Sequence, residues 1–95
     1  MHQSNYTITI DSIGGTCPVQ AEGIINDKPF YFRSRDQHWY LEITQPYGDG
    51  EILWQYLEQY SDKPHVAGYI SKEEAVRFIN KAAKIYHENW QAYEN

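Results

Sequence analysis

The sequence predicts an α+β domain: an antiparallel meander of four or five strands, with one long C-terminal helix packed on one face. Three observations carry that prediction. Apolar residues alternate with polar ones from about residue 5 to residue 45, the period of a half-buried strand. Short clusters rich in Gly, Asn and Asp interrupt the alternation as turns do. After about residue 70 the apolar spacing changes to that of a helix.

The first strand is Tyr6-Thr7-Ile8-Thr9-Ile10-Asp11, with Tyr6, Ile8 and Ile10 on one side and Thr7, Thr9 and Asp11 on the other. Gly14-Gly15 ends it. From Cys17 to Ile25 the alternation is looser, and Gly23 within it marks a bulge or a close neighbour. Asn26-Asp27-Lys28 is a tight turn, because Asn and Asp tolerate the left-handed backbone that hairpins require. Phe30 and Phe32 then oppose Tyr31, Arg33 and Arg35, and Asp36-Gln37 makes the next turn. Trp39, Leu41 and Ile43 oppose Tyr40, Glu42 and Thr44. Successive turns between strands of period two give a meander with one apolar face.

Pro46-Tyr47-Gly48-Asp49-Gly50 is a loop. The segment after it supports two readings. Leu53, Tyr56, Leu57 and Tyr60 fit a helical stripe, whereas Trp54, Tyr56 and Tyr60 fit a strand; aromatic content favours the strand. Ser71-Lys72-Glu73-Glu74 is a capping box, in which Ser71 accepts from the Glu74 amide and Glu74 reaches back to the Ser71 amide. At 100° per residue Ala75, Ile79, Ala82, Tyr86 and Tyr93 fall together. Phe78 and Ile85 flank that stripe on one side, Ala83 and Trp90 on the other. Glu73, Arg77, Lys81, Lys84 and Glu88 lie opposite, toward solvent. A helix from Lys72 to about Ala92 spans roughly 30 Å and a six-residue strand about 20 Å, so Trp90 and Tyr93 are expected to overhang the sheet. The whole chain, residues 1–95, reads as one domain, with strands over about 5–60 and the helix over about 71–92.

Composition narrows the functional classes. With 41% hydrophobic and 22% charged residues the chain is globular rather than disordered. A chain of 95 residues buries only about 60–65% of its unfolded surface, so its nine Tyr, three Trp and three Phe must supply much of the core. The formal charge of -5 argues against a general nucleic-acid or anionic-membrane binder. No stretch approaches the ~18 apolar residues of a membrane span, and Met1–Asn5 lacks the regions of a secretion signal. A cytoplasmic location is therefore expected. A single Cys excludes an intrachain disulfide and a cysteine-based zinc cage.

The run Cys17-Pro18-Val19-Gln20-Ala21-Glu22-Gly23, followed by Pro29-Phe30-Tyr31-Phe32-Arg33-Ser34-Arg35 and Trp39, resembles a group of small uncharacterised bacterial proteins. They share a CPVQAEG stretch, an FYFR-x-R stretch and a nearby Trp. Trp54, Tyr56, Glu58, Tyr60, Ala67-Gly68-Tyr69 and Glu73-Glu74-Ala75 follow in similar order, so the likeness spans roughly residues 17–80. The resemblance implies no activity. It does imply a strand over 53–60, because the group's matching stretch carries turn-like residues unsuited to a helix.

The face opposite Phe30, Phe32, Trp39 and Leu41 should carry Tyr31, Arg33, Arg35, Tyr40 and Glu42, with Gln20 and Glu22. Tyr and Arg are the residues enriched at interface hot spots. The plainer reading is cross-strand pairing of Arg33 or Arg35 with Glu22 or Glu42. Asp49 and Glu51 of the loop, with Glu58 and Asp62, are expected to gather negative charge at one end, either as a solvated rim or as bait for a basic surface.

Cys17 is a weak catalytic candidate, since no spacing ties His38, His65 or His87 to it and a lone Cys in an apolar strand is usually a packing residue. The four His with Asp49, Glu51 and Asp62 show no metal-ligand spacing. No cofactor and no metal are expected.

The leading reading is a non-catalytic, acidic protein-interaction module that binds a protein partner through the outer sheet face and the acidic loop. Small size, acidity and aromatic content suit an inhibitor or accessory protein of a mobile element, of the anti-defence type. One alternative is a small Cys/His-dependent enzyme. A second is a single-stranded nucleic-acid binder using the aromatic and Arg face, although the glycine pattern of an RNP1 motif is absent. A homodimer through an edge strand or an overhanging Trp90 and Tyr93 is a further possibility.

Overall fold

In the computed structural model, residues 6–63 and 65–94 are described, with side chains through residue 89. The strands are β1 (Ile8–Gly14), β2 (Val19–Ile25), β3 (Lys28–Arg35), β4 (His38–Thr44) and β5 (Ile52–Gln59). A short 3-10 turn over Val66–Tyr69 leads into α1 (Lys72–Glu94), the single α-helix among the described residues. The sheet is open, with order β1-β2-β3-β4-β5 and every neighbouring pair antiparallel. The segment with two readings is thus a strand. Its alternation places Trp54, Tyr56 and Glu58 toward the helix and Gln55, Leu57 and Gln59 away from it.

Local chemistry sets the register. Asn26 and Asp27 both take positive φ, 49° and 70°, as a two-residue hairpin turn of this kind needs, and Ile25 faces Lys28 across it. Asp36 also lies at positive φ, 58°, and Arg35 faces His38 across the next turn. Gly23 sits opposite the β1 bulge at Asp11. A Cβ there would run into the Thr9 carbonyl oxygen and approach Phe30 to 2.7 Å, so a bulge and a close neighbour coincide.

The core lies between the inner sheet face and α1. Val19, Ala21, Ile25, Phe30, Phe32, Trp39, Leu41 and Ile43 meet Ala75, Ile79, Ala82, Ala83 and Tyr86. Trp39 is fully buried, with the Phe78 ring stacked on it at 4.8 Å and 6°. Phe32 and Tyr56 lie at 5.8 Å and 5.6 Å. Glu73, Arg77, Lys81, Lys84 and Glu88 are exposed, opposite the buried stripe. At 23 residues the helix is about 35 Å long and outruns strands of seven or eight residues, about 25 Å. The Trp90 and Tyr93 side chains, expected to overhang, fall outside those described.

Two local expectations change. The Ser71 hydroxyl accepts from the Glu74 amide at 3.0 Å as a cap, but the Glu74 carboxylate accepts the Tyr60 hydroxyl at 3.0 Å. The side chain that would close the box ties α1 to the end of β5 instead. Cys17 is not in an apolar strand: it precedes β2, is exposed and has φ 49°. Its amide donates to the Gly68 carbonyl at 2.8 Å. The buried Ser34 hydroxyl donates to the Ala67 carbonyl at 2.6 Å, so the 3-10 turn closes one end of the core.

Glu58 faces inward from the edge strand, where the Lys81 ammonium lies 2.8 Å away and the Tyr56 hydroxyl donates at 2.7 Å. Burial pushes the Glu58 carboxyl up, but the bonds from Lys81 and Tyr56 outweigh it and hold the carboxyl below the usual range. A carboxyl held below its unfolded value contributes stability that is present above that unfolded value and is lost as pH falls through the lowered one. Lys81→Met should therefore raise the pH at which Glu58 titrates in a carbon-13 NMR titration, and acid unfolding should begin at higher pH.

Gly68 offers a second test. A Cβ there would lie 2.9 Å from the Cys17 Cα, a backbone atom that cannot swing aside. Gly68→Ala is expected to lower stability by about 1–3 kcal/mol in urea denaturation, the range for overpacking.

Candidate functional site

Strand parity and register build the outer face rung by rung. One rung runs Glu22, Tyr31, Glu42 and Gln55. The next runs Gln20, Arg33, Tyr40 and Leu57, and the last Arg35, His38 and Gln59. The structure thus brings Tyr31, Arg33, Arg35, Tyr40 and Glu42 together on the face away from the helix. Tyr31, Arg33, Tyr40 and Glu42 are half-buried there, and Arg35 is exposed.

Several contacts fix these side chains. The Tyr31 hydroxyl donates to Gln20 Oε1 at 2.6 Å. Gln55 Nε2 donates to Glu42 Oε2 at 3.1 Å. The Tyr31 and Tyr40 rings are tilted 58° at 6.1 Å, inside the distance range of favourable aromatic pairs. Partial burial raises the Tyr40 hydroxyl above its ordinary value; the Glu42 charge and Tyr31 add to that, and Arg33 opposes it.

The cross-strand ion pairs expected from the sequence do not form. Neither Arg33 nor Arg35 lies within ion-pair distance of Glu22 or Glu42, and Arg35 Nε is 3.9 Å from Asp36 Oδ2 in an exposed contact. Among the described residues the Arg33 side chain makes no hydrogen bond and no ion pair. The physical reason is register. Arg33 shares its rung with Gln20 and Tyr40, while both glutamates sit one rung along, beside Tyr31. Arg33, Arg35, Asp36, His38 and Tyr40 line a depression of about 220 Å³.

The acidic residues do not gather at one end. Asp49 and Glu51 lie exposed in the β4–β5 connection, beyond the end of β4. Asp62 is at the opposite end, where its carbonyl accepts from Gln37 Nε2 at 2.7 Å. Glu58 faces the helix. The outer face instead carries its cations, Arg33 and Arg35, toward one end of β3, and its anions Glu22 and Glu42 one rung along, toward the loop.

Residue 57 was not legible as part of this face, because the segment also matched a helical stripe. Leu57 is 62% exposed beside Tyr40, and Ile52 is 51% exposed on the same strand. Period-two alternation over 54–60 is the signal that places Leu57, whereas Ile52 is turned outward by the register shift beside Thr44, which alternation does not show.

The remaining chemical candidates are dispersed. Among the described residues nothing hydrogen-bonds the Cys17 thiol, which packs against Gly68. His87 is buried, its ring 5.1 Å from that of Tyr6. His65 Nδ1 lies 3.3 Å from Asp36 Oδ1 in an exposed contact, and His38 is on the outer face. His2 lies outside the described residues. No group of three His, Cys, Asp or Glu converges on one point among the described residues.

Comparison with protein-family models, with curated proteins and with solved structures finds no match. The reading of this face therefore rests on its own chemistry.

Glu42→Gln removes one of the charges that lift Tyr40. An ultraviolet titration should show the Tyr40 phenol ionising at lower pH than in the parent protein, still above an ordinary tyrosine because burial persists.

Proposed function

We propose that this chain is a non-catalytic protein-interaction module that engages a protein partner through its outer sheet face, with Asp49 and Glu51 at the anionic end of the footprint. The observation that supports this most is the pairing of two features on one uncovered surface. Tyr31 and Tyr40 are already half-immobilised by neighbours, and Arg33 and Leu57 beside them are left without a partner or a cover.

Tyrosines held in place lose little rotamer freedom on binding, a loss that is part of the cost of association. Five strands about 4.8 Å apart and about 25 Å long present roughly 600 Å². That approaches the ~800 Å² per partner of a standard interface; the acidic loop extends it. A graded charge fixes the orientation of a partner and speeds its encounter. The net charge of -5 favours a partner with a basic surface, which suits an inhibitor or accessory role.

Affinity capture from the native host, with the parent protein and with Tyr31→Ala and Arg33→Glu, tests this reading. Each substitution should abolish retention of a partner that the parent retains, while the protein stays folded, with thermal melting lowered by about 8 °C at most for the loss of cross-strand contacts. Unchanged capture, or unfolding by both substitutions, would overturn it.

A further inference from the structure

We propose that the β3–β4 end of the outer face is an oxyanion site that takes a single phosphomonoester carried on a peptide. Arg33 and Arg35 alternate on one strand, about 7 Å apart at ~3.3 Å per residue. Tyr40 and His38 are their direct cross-strand neighbours. Four side chains with nitrogen or hydroxyl donors thus form a two-by-two patch around one depression. The proposal deepens the protein-partner reading by naming what the partner presents.

Charge bookkeeping points to an anion. Arg33 is half-buried and has no counter-ion among the described residues, and the only acid lining the depression is Asp36. Asp36 is shared between Arg35 at 3.9 Å and His65 at 3.3 Å, both exposed contacts. It therefore leaves at least one of the two guanidinium charges unanswered. Arg forks match phosphate oxygens two at a time, and a phosphomonoester carries nearly two charges with three strong acceptors. A carboxylate offers one charge and two oxygens, fewer than this set of donors answers.

Size and surroundings select the carrier. A volume of about 220 Å³ admits a phosphoryl group but falls below the ~300–1,000 Å³ of pockets that enclose small-molecule ligands. A polyphosphate chain, a nucleic-acid strand or an anionic bilayer would bring further negative charge onto Glu22 and Glu42, one rung away, and onto a chain of net charge -5. Nucleic-acid and membrane binders draw on larger basic surfaces. An extended peptide is free of that penalty. From the Arg35–His38 end, six residues at ~3.3 Å each carry it about 20 Å along β4, toward Asp49 and Glu51, so basic residues about six positions from the phosphorylated one are accommodated.

The test is a nitrogen-15 NMR titration of the full chain with inorganic phosphate, with sodium chloride holding ionic strength constant. Saturable shifts are expected at the Arg33 and Arg35 side-chain Nε–H groups and the amides of residues 33–40. Binding should weaken at least tenfold in Arg33→Gln and in Arg35→Gln, and remain unchanged in Lys84→Gln on the solvent side of the helix. Thermal melting confirms that each variant is folded.

Fluorescence anisotropy with degenerate phosphoserine and phosphotyrosine peptide pools should then show binding that their unphosphorylated twins lack. Equal shifts with chloride alone, or phosphate binding that survives both Arg substitutions, would overturn the site. Tighter binding to single-stranded RNA or to vesicles containing phosphatidylserine than to phosphopeptides would overturn the choice of carrier. If partner capture is lost in Tyr31→Ala yet no phosphate binds, the oxyanion site falls alone. If phosphopeptides bind while capture ignores Tyr31→Ala, the wider footprint falls and the oxyanion site stands.

Discussion

The stacking of Phe78 on Trp39 is the contact on which the rest of the molecule depends. Trp39 sits on a central strand, fully buried, and touches rings from β3, β5 and α1. Among the described residues its indole nitrogen has no hydrogen-bond partner, an omission that costs about 1–3 kcal/mol. Burying roughly 150–250 Å² of aromatic surface returns about 4–6 kcal/mol at ~25 cal/mol per Å². Burial therefore wins, and the indole stays inside. Once Trp39 and Phe78 have brought α1 onto one side of the sheet, the other side has no covering element left in the described chain.

That asymmetry determines what the outer face can be. Strand ladders hold its side chains at fixed spacing, so the surface is a rigid platform of the kind that positions groups well. Its polarity follows from register alone. Odd-numbered β3 residues meet even-numbered β4 residues, giving Arg33 the rung of Tyr40 and leaving Tyr31 between Glu22 and Glu42. A shift of two residues in either pairing would have set an arginine beside a glutamate and silenced both.

Much of this was legible in the sequence. Alternation gave β2 through β4 with their inner and outer residues and β1 up to its bulge at Asp11, the Asn26-Asp27 turn followed from residues that tolerate a left-handed backbone, and the helical stripe predicted the burial of Ala75, Ile79, Ala82 and Tyr86. These are local patterns, and their periods are fixed by backbone geometry. What escaped depends on contacts between distant segments. Residues 61–70 have no period, so the seating of Gly68 against Cys17 and of Ala67 against Ser34 left no trace in the sequence. Glu74 had the right spacing for a capping box, but Tyr60, fourteen residues earlier, takes its carboxylate. The charge layout of the outer face needed the exact rung of each residue, which alternation does not specify.

The inward-facing Glu58 bears on how the sheet ends. Exposed sheet margins invite foreign strands to zip onto them, and a charged group turned toward the core side is one device that prevents this. Here a newcomer laid along β5 would have to pack against a carboxylate already gripped by Lys81 and Tyr56. At the opposite margin, the kink at Asp11 breaks the even spacing that a zipping strand requires. Both borders are thus awkward templates for fibrous growth.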